Sequence, residues 1–229
     1  MPKTAHFNRS LFKFLAELRR NNNREWFLAD KDRYEAEVRD PLLRFIADFG
    51  PRLEKISPHF RADPRPVGGS LFRIYRDTRF SADKSPYKTA AAAQFRHAAG
   101  KDVHAPGFYL HLEPGNVFAG VGLWHPAGDT VRKVRDAIVE QSQGWKKAIG
   151  GKTFQEHFEI GGDTLQRPPR GYDPAHPLIE YIKRKDFVAF TPFSEAAACR
   201  PDFLDRYATT MRAAKPFMQF LTRAVELPF

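Results

Sequence analysis

The segment that decides the fold reads GFYLHLEPGNVFAGVGLW at residues 107–124. Side chains alternate in character on both sides of Pro114-Gly115, a pair that suits a type II turn, so we expect an antiparallel hairpin. With Leu112 opposite Val117, one face of the hairpin is wholly apolar. The missing side chain at Gly120 leaves a gap on the other face, which either the Tyr109 ring or another group fills. That other face carries Tyr109, His111, Phe118 and Trp124 beside Gly120 and Gly122.

Outside the hairpin, much of the chain has apolar residues at helical spacing. We expect helices in the N-terminal part to be separated at 21–23 and at Asp40-Pro41, one long helix over 129–147, and a strand at 187–191. The pattern predicts an α+β fold, with a mainly antiparallel sheet and N-terminal and C-terminal helices packed against it. The predicted single domain spans 1–229, with a helical part at 1–60, a sheet-forming part at 68–124, and helices with one further strand at 126–229.

Composition limits the class of protein. The chain has 229 residues, 42% of them hydrophobic, which is enough apolar material for a packed core. The single cysteine, Cys199, excludes an intramolecular disulfide and a cysteine-based zinc cluster, and no apolar run reaches the roughly 20 residues of a membrane helix. We therefore expect a cytoplasmic protein with no membrane partner. The net charge of +10 is spread evenly along the chain and favours anionic partners without naming one.

Basic residues are densest in FRIYRDTRFSADKSPYK at residues 72–88. If this segment is a strand, Arg76 lies on its apolar face, where a guanidinium needs a carboxylate or a bound anion. The candidate carboxylates are Asp83 and Glu113. The alternative is a β-bulge that turns Arg76 toward the polar face of the strand.

The polar face of the same predicted strand carries a carboxylate, Asp77, beside a guanidinium, Arg79. Asp77 lies two positions from Arg79, about 7 Å along a strand, which suits a structural ion pair as well as a carboxylate held for proton transfer. We favour the ion pair. The residues nearby are typical both of anion-binding loops and of ordinary hairpin tips. They are Arg73, Lys84, Tyr87 and Lys88.

Two residues outside this segment join the candidate site. His111 lies on the open hairpin face, where it can act as a base, although a hydrogen-bonded sheet histidine is the simpler interpretation. Arg170, beside two prolines and Gly171, is the best position for a second anion clamp. The eight histidines lack metal-ligand spacing, and the usual phosphate-loop, nucleophile-elbow and dinucleotide motifs do not occur. The sequence therefore predicts no metal, and it names no cofactor and no catalytic residue.

Six segments of the chain together resemble a known family. They are 22–27, 72–88, 107–115, 167–172, 176–187 and 215–217. Their combination is similar to the domain of unknown function 2461 family, a group of uncharacterised conserved microbial proteins. The resemblance implies a single α+β domain and carries no activity, cofactor or catalytic role. The family motif includes the basic residues that the charge argument selects.

These observations favour three functions, in order. The first is binding, with or without turnover, of a phosphorylated or carboxylated small molecule. The second is a structural or interaction protein whose arginines form an internal ion-pair network between helices and sheet. The third is sequence-independent nucleic-acid binding, suggested by the positive charge and the many aromatic residues. The oligomeric state is not indicated. The predicted ligand-binding residues are Arg73, Arg76, Asp77, Arg79, Lys84, Tyr87, Lys88, His111 and Arg170.

Overall fold

A five-stranded antiparallel sheet organises the fold, with its strands in the order β1-β2-β3-β5-β4. The computed structural model describes residues 4–79, 81–100 and 104–229. The strands are β1 Ala91–Arg96, β2 Gly107–Glu113, β3 Asn116–Leu123, β4 Glu159–Gly161 and β5 Phe187–Phe193. Because helices precede and follow this antiparallel sheet, the predicted α+β class is confirmed.

The central hairpin pairs as the sequence predicts. Leu112 lies opposite Val117, and Tyr109 lies opposite Gly120. Gly115 has a φ of 80°, which the third residue of a type II turn requires and which glycine adopts without strain. The region 126–229 contributes two strands instead of the single one predicted, because β4 also pairs with β5. A strand of three residues is too short to show an alternating pattern.

Helices account for most of the remaining chain. Asn23 caps the second of them, because the backbone N–H of Trp26 donates to its Oδ1 at 2.9 Å. The bounds are α1 Arg9–Arg20, α2 Arg24–Ala29, α3 Lys31–Tyr34, a π-helical turn Glu35–Arg39, α4 Asp40–Ile56, α5 Gly128–Glu140, α6 Ser142–Gly150, α7 Lys152–His157, α8 Ile179–Ile182, α9 Glu195–Ala198, α10 Phe203–Ala213 and α11 Lys215–Ala224.

Two predicted helix boundaries are wrong. Asp40 does not begin a separate helix, since the chain runs from α3 through the π-helical turn directly into α4. The wider π-helical backbone ahead of Pro41 accommodates the proline ring without ending the helix. The predicted helix over 129–147 is divided at Gln141 into α5 and α6. There the Ser142 hydroxyl donates to the Ile138 carbonyl at 3.0 Å and competes with the backbone hydrogen bonds.

The sheet has a closed face and an open face. On the closed face, Phe95, Phe108 and Leu110 are completely buried. Helices from both ends of the chain cover them, because α4 supplies Phe49 and α10 supplies Tyr207, whose rings lie 4.7 and 6.3 Å from Phe95. Each such buried side chain contributes about 1.5–3 kcal/mol, so this face holds the helices on the sheet. None of the helices within the described ranges is long and apolar enough to cross a membrane.

The open face, on the opposite side of the sheet, carries partly exposed aromatic side chains. Phe190 of β5 lies against Gly120, since a Cβ placed on Gly120 would be 3.2 Å from the Phe190 ring and 3.7 Å from Tyr109. Phe190 therefore fills the gap at Gly120. The sequence had left open whether the Tyr109 ring or another group would do so. Trp124 was expected on this face, but it follows the last residue of β3 and stacks beside His104, with ring centroids 6.3 Å apart.

Short segments pair with the outer edge of β1. The N–H of Arg61 donates to the carbonyl of Arg96 at 3.1 Å, and the N–H of Phe72 donates to the carbonyl of Ala92 at 3.0 Å. At the short β4, a side chain makes the contact, because the Arg184 guanidinium donates to the carbonyl of Gly161. The backbone groups along β1 are therefore engaged within the chain.

Candidate functional site

The Arg-rich segment forms a narrow projecting arm, which we define as residues 73–88. A single antiparallel bridge between Tyr75 and Tyr87 joins its two sides. Two backbone hydrogen bonds support that bridge. They run from Arg76 N to Pro86 O at 2.9 Å and from Lys88 N to Ile74 O at 2.7 Å. Phe80, which the sequence places on the apolar face of a strand, lies outside the described residues.

The prediction of one regular strand through residue 80 is wrong. The chain pairs with β1 as far as Phe72 and then bends at Ile74. Leu71 and Ile74 are both buried, so the burial repeats after three residues instead of two. Phe72, just before the arm, lies on the open face beside Tyr109, and the arm continues past the bend beyond the paired edge of β1.

Asn22, in the turn between α1 and α2, clamps the base of the arm. Its side-chain amide donates to the Tyr87 carbonyl at 2.9 Å and accepts from the Tyr87 N–H at 3.0 Å, as a neighbouring strand would. Phe27 of α2 stacks on the Tyr87 ring, with centroids 4.0 Å apart. The motifs at 22–27 and 72–88 are thus parts of one structure. Tyr87 has a structural role there, because its ring is buried.

The charges at the tip of the arm are paired with one another. Arg76 forms an ion pair with Asp83, one of its two candidate partners, while Glu113 pairs with Arg19 instead. Arg79 forms the expected ion pair with Asp77 at 2.7 Å. The ammonium of Lys84 donates to the Thr78 carbonyl at 2.9 Å. These contacts fold the tip onto itself.

Both carboxylates of the tip are firmly ionised. Hydrogen bonds from Arg79 lower the pKa of Asp77 to about 2. Hydrogen bonds from Ser85, and then from Arg76, lower the pKa of Asp83 to about 2. Neither group is poised to exchange a proton near neutral pH, which disfavours the alternative of a carboxylate held for proton transfer.

The base of the arm carries cations of a different kind, which we call the basic rim: Arg73, Lys88 and Arg96. Arg73 and Arg96 line one depression of about 230 Å³ beside the turn at 66–70. The Lys88 ammonium donates to the Arg73 carbonyl at 3.0 Å. Burial, and then the charge of Arg73, lower the pKa of Lys88. Among the described residues, none of the three forms an ion pair with a carboxylate.

The glycine-containing turn shapes this depression. Gly68 has a φ of 73°, and a Cβ on Gly69 would approach the carbonyl oxygens of Asp63 and Arg65 at 2.6 Å. The turn therefore needs glycine at both positions for its own backbone path. The Asp63 carboxylate is engaged by Arg65, at 2.6 Å, and a hydrogen bond from that guanidinium lowers the pKa of Asp63.

His111 lies in the middle of a hydrogen-bonded chain along the open face of β2. The Tyr109 hydroxyl lies 2.9 Å from its Nδ1, and Glu113 Oε2 lies 3.2 Å from its Nε2. Arg19 pairs with the other oxygen of Glu113 at 2.7 Å. This arrangement is the hydrogen-bonded sheet histidine of the simpler interpretation, with the Nε2 proton directed at a carboxylate.

The two ends of this chain have opposite protonation states. Burial, and then the charge of Glu113, raise the pKa of Tyr109 to about 12, so its hydroxyl keeps its proton at neutral pH. Burial acts to raise the pKa of Glu113, but hydrogen bonds from His111 and Asn116 outweigh it and lower that pKa. A protonated phenol and an ionised carboxylate therefore hold the His111 ring in one orientation.

Arg170 occupies a separate turn between β4 and α8. It is exposed, and the neighbouring Tyr172 donates its hydroxyl to Asp136 of α5 at 2.7 Å. No hydrogen bond or ion pair of the described residues joins Arg170 to the arm or to the basic rim. The structure thus supplies no contact for its predicted role as a second clamp on the same anion.

A larger depression, of about 470 Å³, lies between α1 and α9 and away from these charges. Its lining is mainly apolar, and Glu195 within it already accepts from the Gly115 N–H at 2.7 Å. Burial raises the pKa of the Cys199 thiol at its edge, so the thiol stays protonated and weakly reactive. We place the candidate site at the smaller depression because Arg73 and Arg96 line it and form no ion pair with a carboxylate of the described residues. Asp63 and Asp77 lie near enough to interact with their charges but pair with Arg65 and Arg79.

Sequence reasoning missed Arg96. The only available signal was its position on a short alternating strand, where it shares the open face with Ala92 and Gln94. That Arg96 lines the same depression as Arg73 depends on how the chain folds around the edge of the sheet. As for metals, no group of three or more His, Cys, Asp or Glu side chains within 4–79, 81–100 and 104–229 could hold an ion.

Comparison with known proteins identifies a family and no activity. Residues 10–220 match the family model DUF2461, described as a conserved hypothetical protein. No curated protein and no solved structure matches the chain. Because the match covers most of its length, the chain belongs to the DUF2461 family.

Proposed function

We propose that this member of the DUF2461 family binds a phosphorylated or carboxylated small molecule at the basic rim. The observation that carries the proposal is the position of Arg73 and Arg96 around one depression, with no carboxylate paired to either in the described part of the chain. An anion bound in that depression supplies the counter-charge that neither guanidinium has as an ion-pair partner. Lys88 adds a third positive charge at the same place.

The chemistry of these side chains suits an oxyanion. A guanidinium presents paired N–H donors that match two oxygens of a phosphate or carboxylate, and a lysine adds a compact charge. Tyr109 and His111 lie next to the rim, since the Phe72 ring contacts the Tyr109 ring at 6.0 Å. Arg76, Arg79 and Lys84 are engaged at the tip by Asp83, Asp77 and the Thr78 carbonyl, so in this proposal they do not contact the ligand.

The two other functions have weaker support. A structural network built by the arginines of residues 72–88 needs pairs that cross to the helices or the sheet, whereas Arg76 and Arg79 pair within the arm. The pair of Arg19 with Glu113 does join α1 to β2, but Arg19 lies outside that segment. Sequence-independent nucleic-acid binding needs cations along a track several phosphates long. The basic rim instead supplies three such cations at one outer edge of the sheet, which are too few for a long track.

Calorimetric titration with inorganic phosphate and with citrate tests the proposal. We expect millimolar or tighter binding of at least one of them, and about tenfold weaker binding after Arg73→Ala or Arg96→Ala, because each change removes a charge-assisted hydrogen bond. The matched control is Arg79→Ala, which removes an arginine of the same arm and should leave the affinity unchanged.

Three results would contradict the proposal. The first is no binding of either anion at millimolar concentration. The second is an equal loss of affinity in Arg73→Ala and Arg79→Ala, since that result assigns binding to net charge alone. The third is tighter binding to a long single strand than to phosphate with a steep dependence on salt, which instead supports nucleic-acid binding.

A further inference from the structure

The larger depression, between α1 and α9, has an apolar lining. Phe12 and Ala16 lie one turn apart on the same face of α1, and Ala196 of α9 and Pro114 of the hairpin turn lie across from them. The small side chains of the two alanines leave the space between the helices open. Its volume of about 470 Å³ lies within the roughly 300–1,000 Å³ that is typical of small-molecule sites. The depression is therefore large enough for a small apolar molecule.

Two cations of α1, Arg9 and Lys13, line the same depression. Residues four positions apart on a helix are neighbours, so both side chains reach one anionic group. Arg9 is exposed and forms no ion pair in the described part of the chain. Lys13 lies 3.9 Å from one oxygen of Glu17, whose other oxygen binds Arg33 at 3.0 Å. The counter-charge near Lys13 is thus shared with a second cation.

Glu195 is the acidic residue of the lining. Its carboxylate accepts a hydrogen bond from the Gly115 N–H at 2.7 Å and is therefore engaged at the hairpin turn. Cys199, one turn further along α9, interacts with charges on both helices. Burial, and then the charge of Glu195, raise the pKa of the Cys199 thiol, whereas the charge of Arg9 acts to lower it. The thiol consequently reports on the space between Arg9 and α9.

We propose that this depression binds a small amphipathic monocarboxylate. Its carboxylate binds Arg9 and Lys13, and its apolar body lies between α1 and α9. Arg9 and Ala16 are seven residues apart, which is about 10 Å along a helix axis, and extended octanoate matches that length. No residue lines both this depression and the one at the basic rim, so the inference is independent of the proposed function.

The length of the apolar body and the sign of the head group control the affinity. Each fully buried methylene strengthens binding about fourfold, and an open groove covers only part of each one. We therefore expect octanoate to bind at least tenfold more tightly than butyrate. Octylamine has the same apolar body with a positive head group, which Arg9 and Lys13 repel. It should bind at least tenfold more weakly than octanoate.

Calorimetric titration with octanoate, butyrate and octylamine tests these expectations. Arg9→Ala should weaken octanoate binding several-fold, because it removes one of the two cations. The matched control is Arg20→Ala, which removes an exposed arginine at the other end of α1, outside the lining, and should leave the affinity unchanged. Ala196→Phe fills the depression from an exposed position and should weaken octanoate binding at least tenfold. Circular dichroism of each variant shows whether the fold is intact.

Alkylation of Cys199 shows where the ligand binds. The chain has a single cysteine, so the rate of its reaction with iodoacetamide at mildly alkaline pH reports on this depression alone. Saturating octanoate should slow the reaction several-fold, and butyrate at the same concentration should not. An unchanged rate in the presence of bound octanoate would place the ligand elsewhere and overturn the inference.

The remaining failures separate this inference from the proposed function. Octanoate binding that Arg96→Ala weakens and Arg9→Ala does not would assign the carboxylate to the basic rim, which overturns the inference and supports the proposed function. Equal affinity for octanoate and octylamine would remove the role of the two cations. Dimerisation seen by analytical ultracentrifugation and abolished by Ala196→Phe would assign the depression to a second copy of the chain instead. Loss of phosphate and citrate binding by the unchanged protein has no bearing on this site.

Discussion

The tip of the arm and the basic rim contain the same kinds of cation but differ in what those cations contact. At the tip, Arg76 pairs with Asp83 and Arg79 pairs with Asp77. At the rim, Arg73 and Arg96 share a depression without a paired carboxylate in the described part of the chain. The tip has the denser run of charge in the sequence, yet the cations without an ion-paired carboxylate among the described residues lie at the rim.

The difference shows that local sequence supplies partners for the tip and not for the rim. Asp77 lies two residues before Arg79, and Asp83 lies two residues before Ser85, so both carboxylates receive hydrogen bonds within the turn. The rim draws its residues from the arm and from β1, and its environment depends on tertiary structure. Three predictions examine this comparison, beginning with the largest expected effect.

Asn22→Ala should remove the clamp that holds the base of the arm. Without the clamp, the tip and the basic rim are no longer held in their different environments. The change leaves the N–H and carbonyl of Tyr87 without their side-chain partners, so we expect the free energy of unfolding to fall by about 2 kcal/mol. Urea denaturation measures this loss. The control is Asn21→Ala, which removes one exposed bond to the Glu17 carbonyl and should cost about 0.5 kcal/mol. Equal losses in the two variants would show that Asn22 is not a clamp.

The pH dependence of anion binding should distinguish Lys88 at the basic rim from Lys84 at the tip of the arm. Because the pKa of Lys88 is lowered, its ammonium loses its proton at a lower pH than an ordinary lysine, and affinity should fall as the pH rises through that value. Titration with sulfate from pH 7 to 10 should show a several-fold loss. Lys88→Arg should abolish the loss, because a guanidinium stays charged throughout this range.

The control for this pH experiment is Lys84→Arg at the tip, where the ammonium contacts the Thr78 carbonyl. This variant should retain the pH dependence of the unchanged protein. If Lys88→Arg retains it as well, the titrating group lies elsewhere and Lys88 does not contact the anion.

Arg76→Ala tests the tip and should have the smallest effect. Its ion pair with Asp83 is exposed, and exposed pairs contribute little because water already solvates both charges. We expect the thermal midpoint and the phosphate affinity to remain within experimental error. A large drop in the thermal midpoint would instead support the hypothesis that the arginines form a structural ion-pair network. A large drop in phosphate affinity would show that the binding site includes the tip.

The predictable parts of the fold are those that local sequence determines. The hairpin register follows from alternation around Pro114-Gly115, and the start of α2 follows from the capping side chain of Asn23. The sequence did not predict the strand β4, because three residues are too few to show an alternation of apolar and polar side chains. The arm was predicted as a strand because its alternation is genuine around Tyr75, whereas the bend at Ile74 depends on burial against the rest of the molecule.

The candidate site was predictable to the same limited degree. Arg73 and Lys88 stood out through charge density, and the partners of Asp77 and Asp83 lie within a few residues of them. Arg96 did not stand out, because only the fold brings β1 beside the turn at 66–70. The sequence did not assign Phe190 to the open face, because that assignment depends on the pairing of β5 with β3.

The pairing of short segments along β1 has a consequence for the behaviour of the protein in concentrated solution. An unpaired outer strand acts as a template on which another chain adds its own strand, and this addition begins many kinds of fibrillar aggregation. Here Arg61 and Phe72 already donate to β1, so that edge is occupied by the chain itself. The opposite edge strand, β4, has only three residues and offers a short template. We therefore expect the sheet to resist lengthening by self-association at β1, even though its aromatic side remains uncovered.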